Sequence, residues 1–327
     1  MNVVVNGKKA KRETNTMPQW AGSCWYYIRY LDPKNNNQIA DPKLLKHWLP
    51  VDLYIGGPEH AVGHLIYSRI WTKYLYKKGL INFDEPFKKL VHQGMILGAN
   101  GIKMGKRYPE FVVNPSDIVN QYGADTMRLY EMFMGPLEAN KPWSDQGVEG
   151  ARRWLERVYR ALIESDFIVD EEVKDLELIY NQTVKKVTDD YESLAFNTAI
   201  SQMMIFINEV YRLGKLPRNY AEGFVKMISC ITPHIGEEMW EKLGHNQTIA
   251  YEPWPTYDPN KLESHKVNIA VSVNGKLRAT LEIDKDSDDE VVKQMALELE
   301  NVKKFTEGLN IKKIIVVKNK IVNIVVA

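Results

Sequence analysis

The segment VDLYIGGPEHAVGHLIYSRIWTKYLYKKG, residues 51–79, decides how the chain is read. VDLYIGG (51–57) is a short apolar run ending in two glycines, the pattern of a buried parallel strand that runs into a ligand-facing turn. From Ala61 apolar residues recur at helical spacing as far as Gly79, a plausible C-cap residue. KKLVHQGMIL (88–97) is a second strand-like run, and it too gives way to a glycine-rich loop. Strand, helix and strand within about 45 residues make a βαβ pattern, so a parallel sheet is expected.

Upstream, residues 1–24 read as polar and irregular, and WYYIRYL (25–31) is densely aromatic and apolar. Downstream the pattern turns helical. NPSDIVNQYG (114–123) opens with a capping signal and Pro115 at or near the first helical position, and ADTMRLYEMFMG follows. Amphipathic stretches over roughly 146–166, 171–191 and 194–214, and a fourth at 220–244 broken near Pro233, predict an antiparallel helical bundle. Trp154, Val158, Ala161 and Leu162 share one face, as do Ile200, Met203, Met204, Ile207 and Val210. YEPWPTYDPNK (251–261) reads as a linker. Beyond it Val267, Ile269, Val271 and Val273 alternate up to Asn274-Gly275, a type I′ hairpin signal, and an acidic helix start at 287–290 and two β-branched runs complete a ββαββ-like module. The expected fold is multidomain: a partial Rossmann-like α/β domain (1–115), an all-α helical section (116–260) and a small α+β domain (261–327).

The bulk composition excludes several classes. Of 327 residues 44% are hydrophobic and 26% charged, which is ordinary for a globular protein, and the net charge of +1 gives no global attraction to nucleic acid. Cys24 and Cys230 are too few for a disulfide framework or a cysteine-built zinc site. No apolar run approaches a membrane span, and the start lacks the apolar core and cleavage site of a signal peptide. The expected setting is cytoplasmic, with no membrane partner.

Chemistry is expected at the carboxyl ends of the strands, where open α/β sheets bind ligands. GGPEHAVGH (56–64) places Glu59, His60 and His64 there, the histidines four apart on one helix face. A zinc reading lacks a third ligand and the H-E-x-x-H order, and the bland reading is a helix start with two half-buried histidines. The loop GIKMGKR (101–107) follows the adjacent strand and brings Lys103 and Lys106 to the same edge. Two lysines in a glycine-rich loop suit charge developing on a transferring phosphoryl group, although a solvated basic turn is the commoner fate of K-x-x-K.

Four segments, TMPQWAGSCWYYIRYLDP, DLYIGGPEHAVGHLIYSRIWTKYL, HQGMILGANGIKMGKR and YGADTMRLYEMFMGP, together resemble successive parts of bacterial leucyl-tRNA synthetase, a class Ia aminoacyl-tRNA synthetase. Order and spacing continue through the bundle into the C-terminal module. The resemblance implies an ATP and aminoacyl-adenylate site with Glu59, His60, His64, Gln93, Met95 and Ile96, and it makes GIKMGKR the counterpart of the KMSKS loop, with Lys103 and Lys106 catalytic. It implies ATP with Mg2+ as the substrate complex, leucine and tRNA(Leu) as partners, no tightly bound cofactor, an anticodon-binding bundle and a tRNA-contacting C-terminal domain. Arg152, Arg153, Arg157, Lys185 and Lys186 are the phosphate-contact candidates, against solvated helix faces for each taken singly.

The chain departs from the family in two ways. The loop carries glycine and arginine where the family usually has serines, and Tyr108-Pro109-Glu110 stands for the usual Arg-Gly-Asn with one extra residue before VVNP. The HIGH-containing half and the editing domain are expected ahead of residue 1, and PHIGEEMW (233–240) lies in the helical region and is no substitute. The expected activity is therefore leucine–tRNA ligation that needs a separate N-terminal half, with the isolated chain inactive and residues 1–115 disordered, rearranged or covered by that partner. The alternative is a non-catalytic tRNA-binding protein derived from a synthetase.

Overall fold

The computed structural model describes residues 2–12, 20–263 and 266–327. Residues 2–11 are a hairpin, where the sequence reads as irregular: β1 (Asn2–Val5) and β2 (Lys8–Lys11) pair antiparallel around Asn6-Gly7. Asn6 and Gly7 take φ of 52° and 76°, the left-handed pair that a type I′ turn demands. Residues 1 and 13–19 of the segment read as irregular, and 16–19 of the first family-like segment, lie outside the described residues.

Two compact units divide the chain. The first comprises Met1–Val158, Asp190–Ser201 and Cys230–Ile235. It contains α1 (Trp20–Ser23), α2 (Tyr26–Arg29) and α3 (Pro42–Trp48). Asp41 starts α3 by accepting from Lys43 N at 2.7 Å, with Pro42 at the first helical position, where its missing N–H costs nothing. Tyr27, Ile28, Leu45, Leu49, Leu75 and Phe83 form the core of this region.

The βαβ unit is present as β3 (Tyr54–Gly56), α4 (His64–Lys77) and β4 (Leu90–His92). β3 and β4 are parallel, with Tyr54 opposite Leu90 and Gly56 opposite His92. The strand expected over 88–97 divides in two. Its second part, β5 (Ile96–Leu97), leaves β4 and, after α5 (Pro115–Tyr122) and α6 (Ala124–Phe133), pairs in parallel with β6 (Lys141–Pro142). Asn114 caps α5 by accepting from Ser116 N at 3.1 Å, as the capping signal requires.

α4 is amphipathic in an inverted sense. His64, Ser68 and Thr72 are buried with Leu75, whereas Ile66, Ile70 and Tyr74, one turn apart, are exposed at 44%, 55% and 55%. Side chains four apart lie on one face, so these three make a continuous apolar stripe.

α7 (Asp145–Tyr159) follows, buries Val148, Ala151, Trp154 and Leu155, and closes in a π-helical turn over Arg160–Glu164. The second unit, Tyr159–Asp189, Gln202–Ser229 and Gly236–Ala327, holds most of the predicted bundle. Its parts are β7 (Ile168–Val169), α8 (Lys174–Glu192), α9 (Phe196–Leu213), β8 (Leu216–Pro217), α10 (Arg218–Ser229) and α11 (Pro233–Lys242). Phe206 of α9 meets Tyr180 of α8 and Phe224 of α10 at 5.8 and 5.6 Å between ring centroids, ordinary aromatic packing distances. Residues 251–261 are not a free linker. Trp254 Nε1 donates to Thr188 Oγ1 at 2.8 Å and Asp258 N to Asn181 Oδ1 at 2.7 Å, so this segment is laid along α8.

The C-terminal module is β9 (Lys266–Val273), β10 (Lys276–Asp284), α12 (Asp289–Glu298), α13 (Glu300–Thr306), β11 (Ile311–Val317) and β12 (Ile321–Val326). The sheet runs β10-β9-β12-β11, with β9 and β12 parallel. Asn274 and Gly275 take φ of 49° and 76° at the predicted turn. Among the described residues no helix is long and apolar enough to cross a membrane.

One ion cluster fastens α4 to the loop before β4. Arg69 grips Glu85 with two bonds of 2.8 and 2.7 Å, and Lys73 Nζ adds a third at 2.8 Å. Bonding to Arg69 first, then to Lys73, pulls the Glu85 carboxyl down to about 2 from its ordinary 4.5. Since the folded-state value lies below the unfolded one, the contribution is full above the unfolded value and disappears as the pH falls through the folded value. All three side chains are about half exposed, so the effect is small. Glu85→Gln is expected to flatten the acid limb of the urea midpoint between pH 4.5 and about 2. An acid limb identical to that of the unaltered chain would refute this linkage.

Candidate active site

The site is built where β3 and β4 end. β3 delivers Gly56-Gly57, a 3₁₀ turn over Pro58–His60 follows, and α4 begins at His64. Beside it Gln93 N donates to Gly56 O at 3.3 Å. The next residue explains why the apolar run breaks. Gly94 N donates to Leu137 O at 2.7 Å, and a Cβ at Gly94 would stand 2.0 Å from Ala139 O and 2.2 Å from Ala139 C. Only glycine allows two backbones to pass this closely. Met95 N then donates to Asn140 Oδ1 at 2.6 Å and Lys141 N to Met95 O at 3.0 Å, which turns the chain into the β5–β6 pair.

An open cleft of about 360 Å³ lies between this crossing and α6. Glu59, Gln93, Met95 and Ile96 line it, together with Glu131 and Met132 of α6, Leu137 and Lys141. Four of the six expected nucleotide-site residues are thus brought together. His60 is half-buried on the 3₁₀ turn and is not among the lining residues.

His64 is also absent from the lining, because its ring is turned inward. It is 7% exposed and faces the interior. Tyr54 Oη donates to its Nδ1 at 2.9 Å, and its Nε2 donates to Ser23 O at 2.5 Å. Its ring stacks on Tyr54, with centroids 5.6 Å apart and planes 14° from parallel. Both nitrogens therefore serve protein groups, and His64 ties β3 and α4 to the turn at Ser23. Burial raises the Tyr54 hydroxyl above its ordinary value. Among the described residues, no three His, Cys, Asp or Glu side chains stand together as a metal site.

The lysine loop leaves β5 directly. Gly98 N donates to Ile102 O at 2.8 Å, Gly101 N returns to Gly98 O at 2.8 Å, and Lys103 bridges antiparallel to Leu97, so 97–103 is a tight reversal. Lys106 sits on a second turn, closed by Tyr108 N to Gly105 O at 3.1 Å, with Arg107 over the Tyr108 ring at 5.5 Å. Lys103 and Lys106 are exposed and have no hydrogen bond or ion pair among the described residues. Neither is in the cleft lining. Two uncommitted ammonium groups on long stems beside an apolar cleft are suited to polyphosphate.

Sequence reasoning missed Glu131 and Lys141. Lys141 Nζ donates to Pro136 O at 2.8 Å and Gly135 O at 3.3 Å, and burial lowers its pKa. Burial pushes the Glu131 carboxyl up, opposed by Arg128. A signal was present, an acid inside the apolar run MRLYEMFMG, but helical periodicity does not tell an outward acid from a cleft-facing one.

The expected phosphate-contact residues sit mostly in local ion pairs. Arg152 binds Glu156 at 2.7 Å, Arg153 binds Glu149 at 3.8 Å and Lys185 binds Asp189 at 2.5 Å. Arg157 and Lys186 have partners as well. Such half-exposed pairs are worth little, so an incoming phosphate can replace the carboxylate.

Comparison with known proteins gives two family matches. The profile of class I tRNA synthetases (I, L, M and V) matches residues 3–142, and that of the anticodon-binding domain of tRNA ligase matches residues 174–293. Among solved structures, the chain is similar along its whole length to LeuRS of Agrobacterium radiobacter K84 in a ternary LeuRS–tRNA–LeuAMS complex, with 33% identity and a TM-score of 0.70. The chain spans 45% of that protein. Methionyl-tRNA synthetase of Mycobacterium tuberculosis with methionyl-adenylate shares the fold over 68% of this chain and 49% of its own, at 12% identity and a TM-score of 0.51.

The crossing at Gly94 yields a direct test. Gly94→Ala must displace the backbone of Ala139, and is expected to cost about 1–3 kcal/mol in urea unfolding. A variant as stable as the unaltered chain would mean that the two segments do not pass this closely.

Proposed function

Because this chain belongs to the class I tRNA synthetases, we propose that it carries the nucleotide-handling half of a leucine–tRNA ligase together with its tRNA-binding domains. The observation that carries this reading is the whole-length similarity to a LeuRS, and a cleft at the parallel strand ends, followed in the chain by an exposed two-lysine loop, supports it. In the first step the leucine carboxylate attacks the α-phosphorus of ATP, the bond to the bridging oxygen breaks, and pyrophosphate leaves. In the second, a terminal ribose hydroxyl of tRNA(Leu) attacks the acyl carbon and AMP leaves.

Each group has a place in this scheme. The base of ATP lies in the cleft against Gln93, Met95 and Ile96, with Glu59 and His60 at the strand-end turn and His64 holding that turn from behind. Lys103 and Lys106 meet the phosphates of MgATP and stabilise charge on the leaving pyrophosphate, a task that positioned cations perform without covalent chemistry. Residues 1–115 are read as catalytic, 116–260 as connecting helices and anticodon-stem bundle, and 261–327 as a second tRNA contact. Arg152, Arg153 and Lys185 exchange their carboxylate partners for phosphate, and Arg157 and Lys186 are further phosphate contacts. The setting is cytoplasmic.

This reading needs a HIGH-containing half to complete the site. The exposed stripe Ile66, Ile70 and Tyr74 on α4 supports a covering polypeptide there, because apolar rows of this kind are usually buried.

Leucine-dependent ATP–pyrophosphate exchange tests the proposal. The chain alone is expected to be silent and to become active when mixed with a HIGH-containing half, and Lys106→Ala in that mixture is expected to lower the rate roughly 10²- to 10³-fold. Exchange that follows another amino acid would sink the leucine reading, and an unaffected Lys106→Ala variant would reduce the loop to scaffolding. Ile70→Lys is expected to leave circular dichroism unchanged while raising the concentration of the second half needed for activity.

A further inference from the structure

The wall of the cleft formed by α6 carries a carboxyl group that the scheme above does not use. Glu131 lies beside Met132 in that wall and faces a cavity whose other side is the crossing at 93–96. It makes no hydrogen bond among the described residues. The cations nearest to it are committed elsewhere. Arg128, one turn earlier, donates to Ile231 O at 2.7 Å and to Cys230 O at 3.3 Å. Lys141, across the cleft floor, is held by Pro136 O and Gly135 O. A partly desolvated carboxylate without a donor is costly, so a ligand that supplies an N–H gains more here than it would in water.

The surroundings specify what kind of ligand does so. Pro58, Met95, Ile96, Met132 and Leu137 offer apolar surface on several sides, which suits a flat heterocycle rather than a charged group. Several main-chain groups opposite are consumed: Gly94 N by Leu137 O, Met95 N by Asn140 Oδ1 and Met95 O by Lys141 N. Glu131 and Glu59 repel phosphate from this end of the site, whereas Lys103 and Lys106 attract it at the loop. A nucleotide is thereby oriented with its base toward α6 and its phosphates toward the lysines.

We propose that Glu131 is a specificity-determining residue that accepts a hydrogen bond from the exocyclic amino group of an adenine seated in this cleft. The inference rests on the ligase reading for the identity of the nucleotide. A base without that amino group leaves the half-buried carboxylate unpaired, and a site built around such a bond discriminates against the analogue.

Equilibrium dialysis of the full chain against ATP, purine riboside triphosphate (which lacks the amino group) and GTP tests it, with Glu131→Met and Glu131→Gln as variants. The unaltered chain is expected to bind ATP roughly 10- to 100-fold more tightly than the deaminated analogue, the span of one hydrogen bond to a charged group. Glu131→Met should bring the two affinities within about twofold, whereas Glu131→Gln, whose amide oxygen still accepts, should keep most of the preference. In the exchange assay with the second half, Glu131→Met should raise KM for ATP and leave kcat within a small factor, which a general loss of structure would not do. If the unaltered chain binds ATP and the deaminated analogue equally, or prefers GTP, the inference fails and the ligase reading stands. If the chain binds no nucleotide either alone or together with the HIGH-containing half, the ligase reading fails, and this inference with it.

Discussion

The cleft depends on one close approach. At Gly94 the chain passes so near the backbone of Ala139 that a side-chain carbon would fall 2.0 Å from its carbonyl oxygen. That passage stops β4, sends β5 to a different partner, and separates the two parallel pairs enough to leave a cavity between them. Had the apolar run continued as one strand, Gln93, Met95 and Ile96 would have been ordinary sheet residues with alternating faces. With the break, all three reach the same opening, and the loop that carries Lys103 and Lys106 begins one turn later.

Behind the cleft, α4 is anchored by polarity rather than by apolar packing. His64, Ser68 and Thr72 are buried because each has something to bond: Tyr54 Oη and Ser23 O for His64, His64 Nε2 for Ser68 at 3.4 Å, and Tyr27 Oη for Thr72 at 3.0 Å. A buried polar row with satisfied partners fixes rotation about the helix axis more narrowly than aliphatic contacts do, since a turn of the helix would strand every bond. The same rotation turns Ile66, Ile70 and Tyr74 outward. Anchoring and exposure are therefore one fact, and the helix face that a partner would cover is set by the bonds on its opposite side.

How much of this the sequence discloses depends on whether the cause is local. Asn274-Gly275 announces its hairpin because left-handed backbone is written into those two residues. Asn6-Gly7 carries the same instruction and is hidden only because the strands around it are four residues long and polar on one side. The helix start at Asn114-Pro115 is legible, and so is the buried face of α9, where Ile200, Met203, Ile207 and Val210 are fully enclosed. Asp41-Pro42 carries the same start signal for α3. The division of 88–97 is not legible, because it is imposed by residues 137–141, about 45 positions away. His64 illustrates the same limit at the site. Its spacing from His60 says that they share a face, and nothing in the spacing says that Tyr54 and Ser23 will claim both of its nitrogens.

The arrangement of charge then gives the site a direction. Carboxylates stand at the α6 and strand-end side of the cleft, and free ammonium groups stand on the loop that follows β5. A neutral ring and a polyphosphate are opposites in hydration and charge, and an apolar, acidic cleft followed in the chain by a basic loop can sort them without contacting every atom. Lys141 could have cancelled this gradient, being a cation in the cleft itself. Its ammonium keeps its charge but commits donors to two main-chain carbonyls, Pro136 O and Gly135 O, so it is not free to reach toward a ligand's phosphates. On the proposed reading, the lysines of the loop, rather than Lys141 of the cleft, would then meet a polyphosphate.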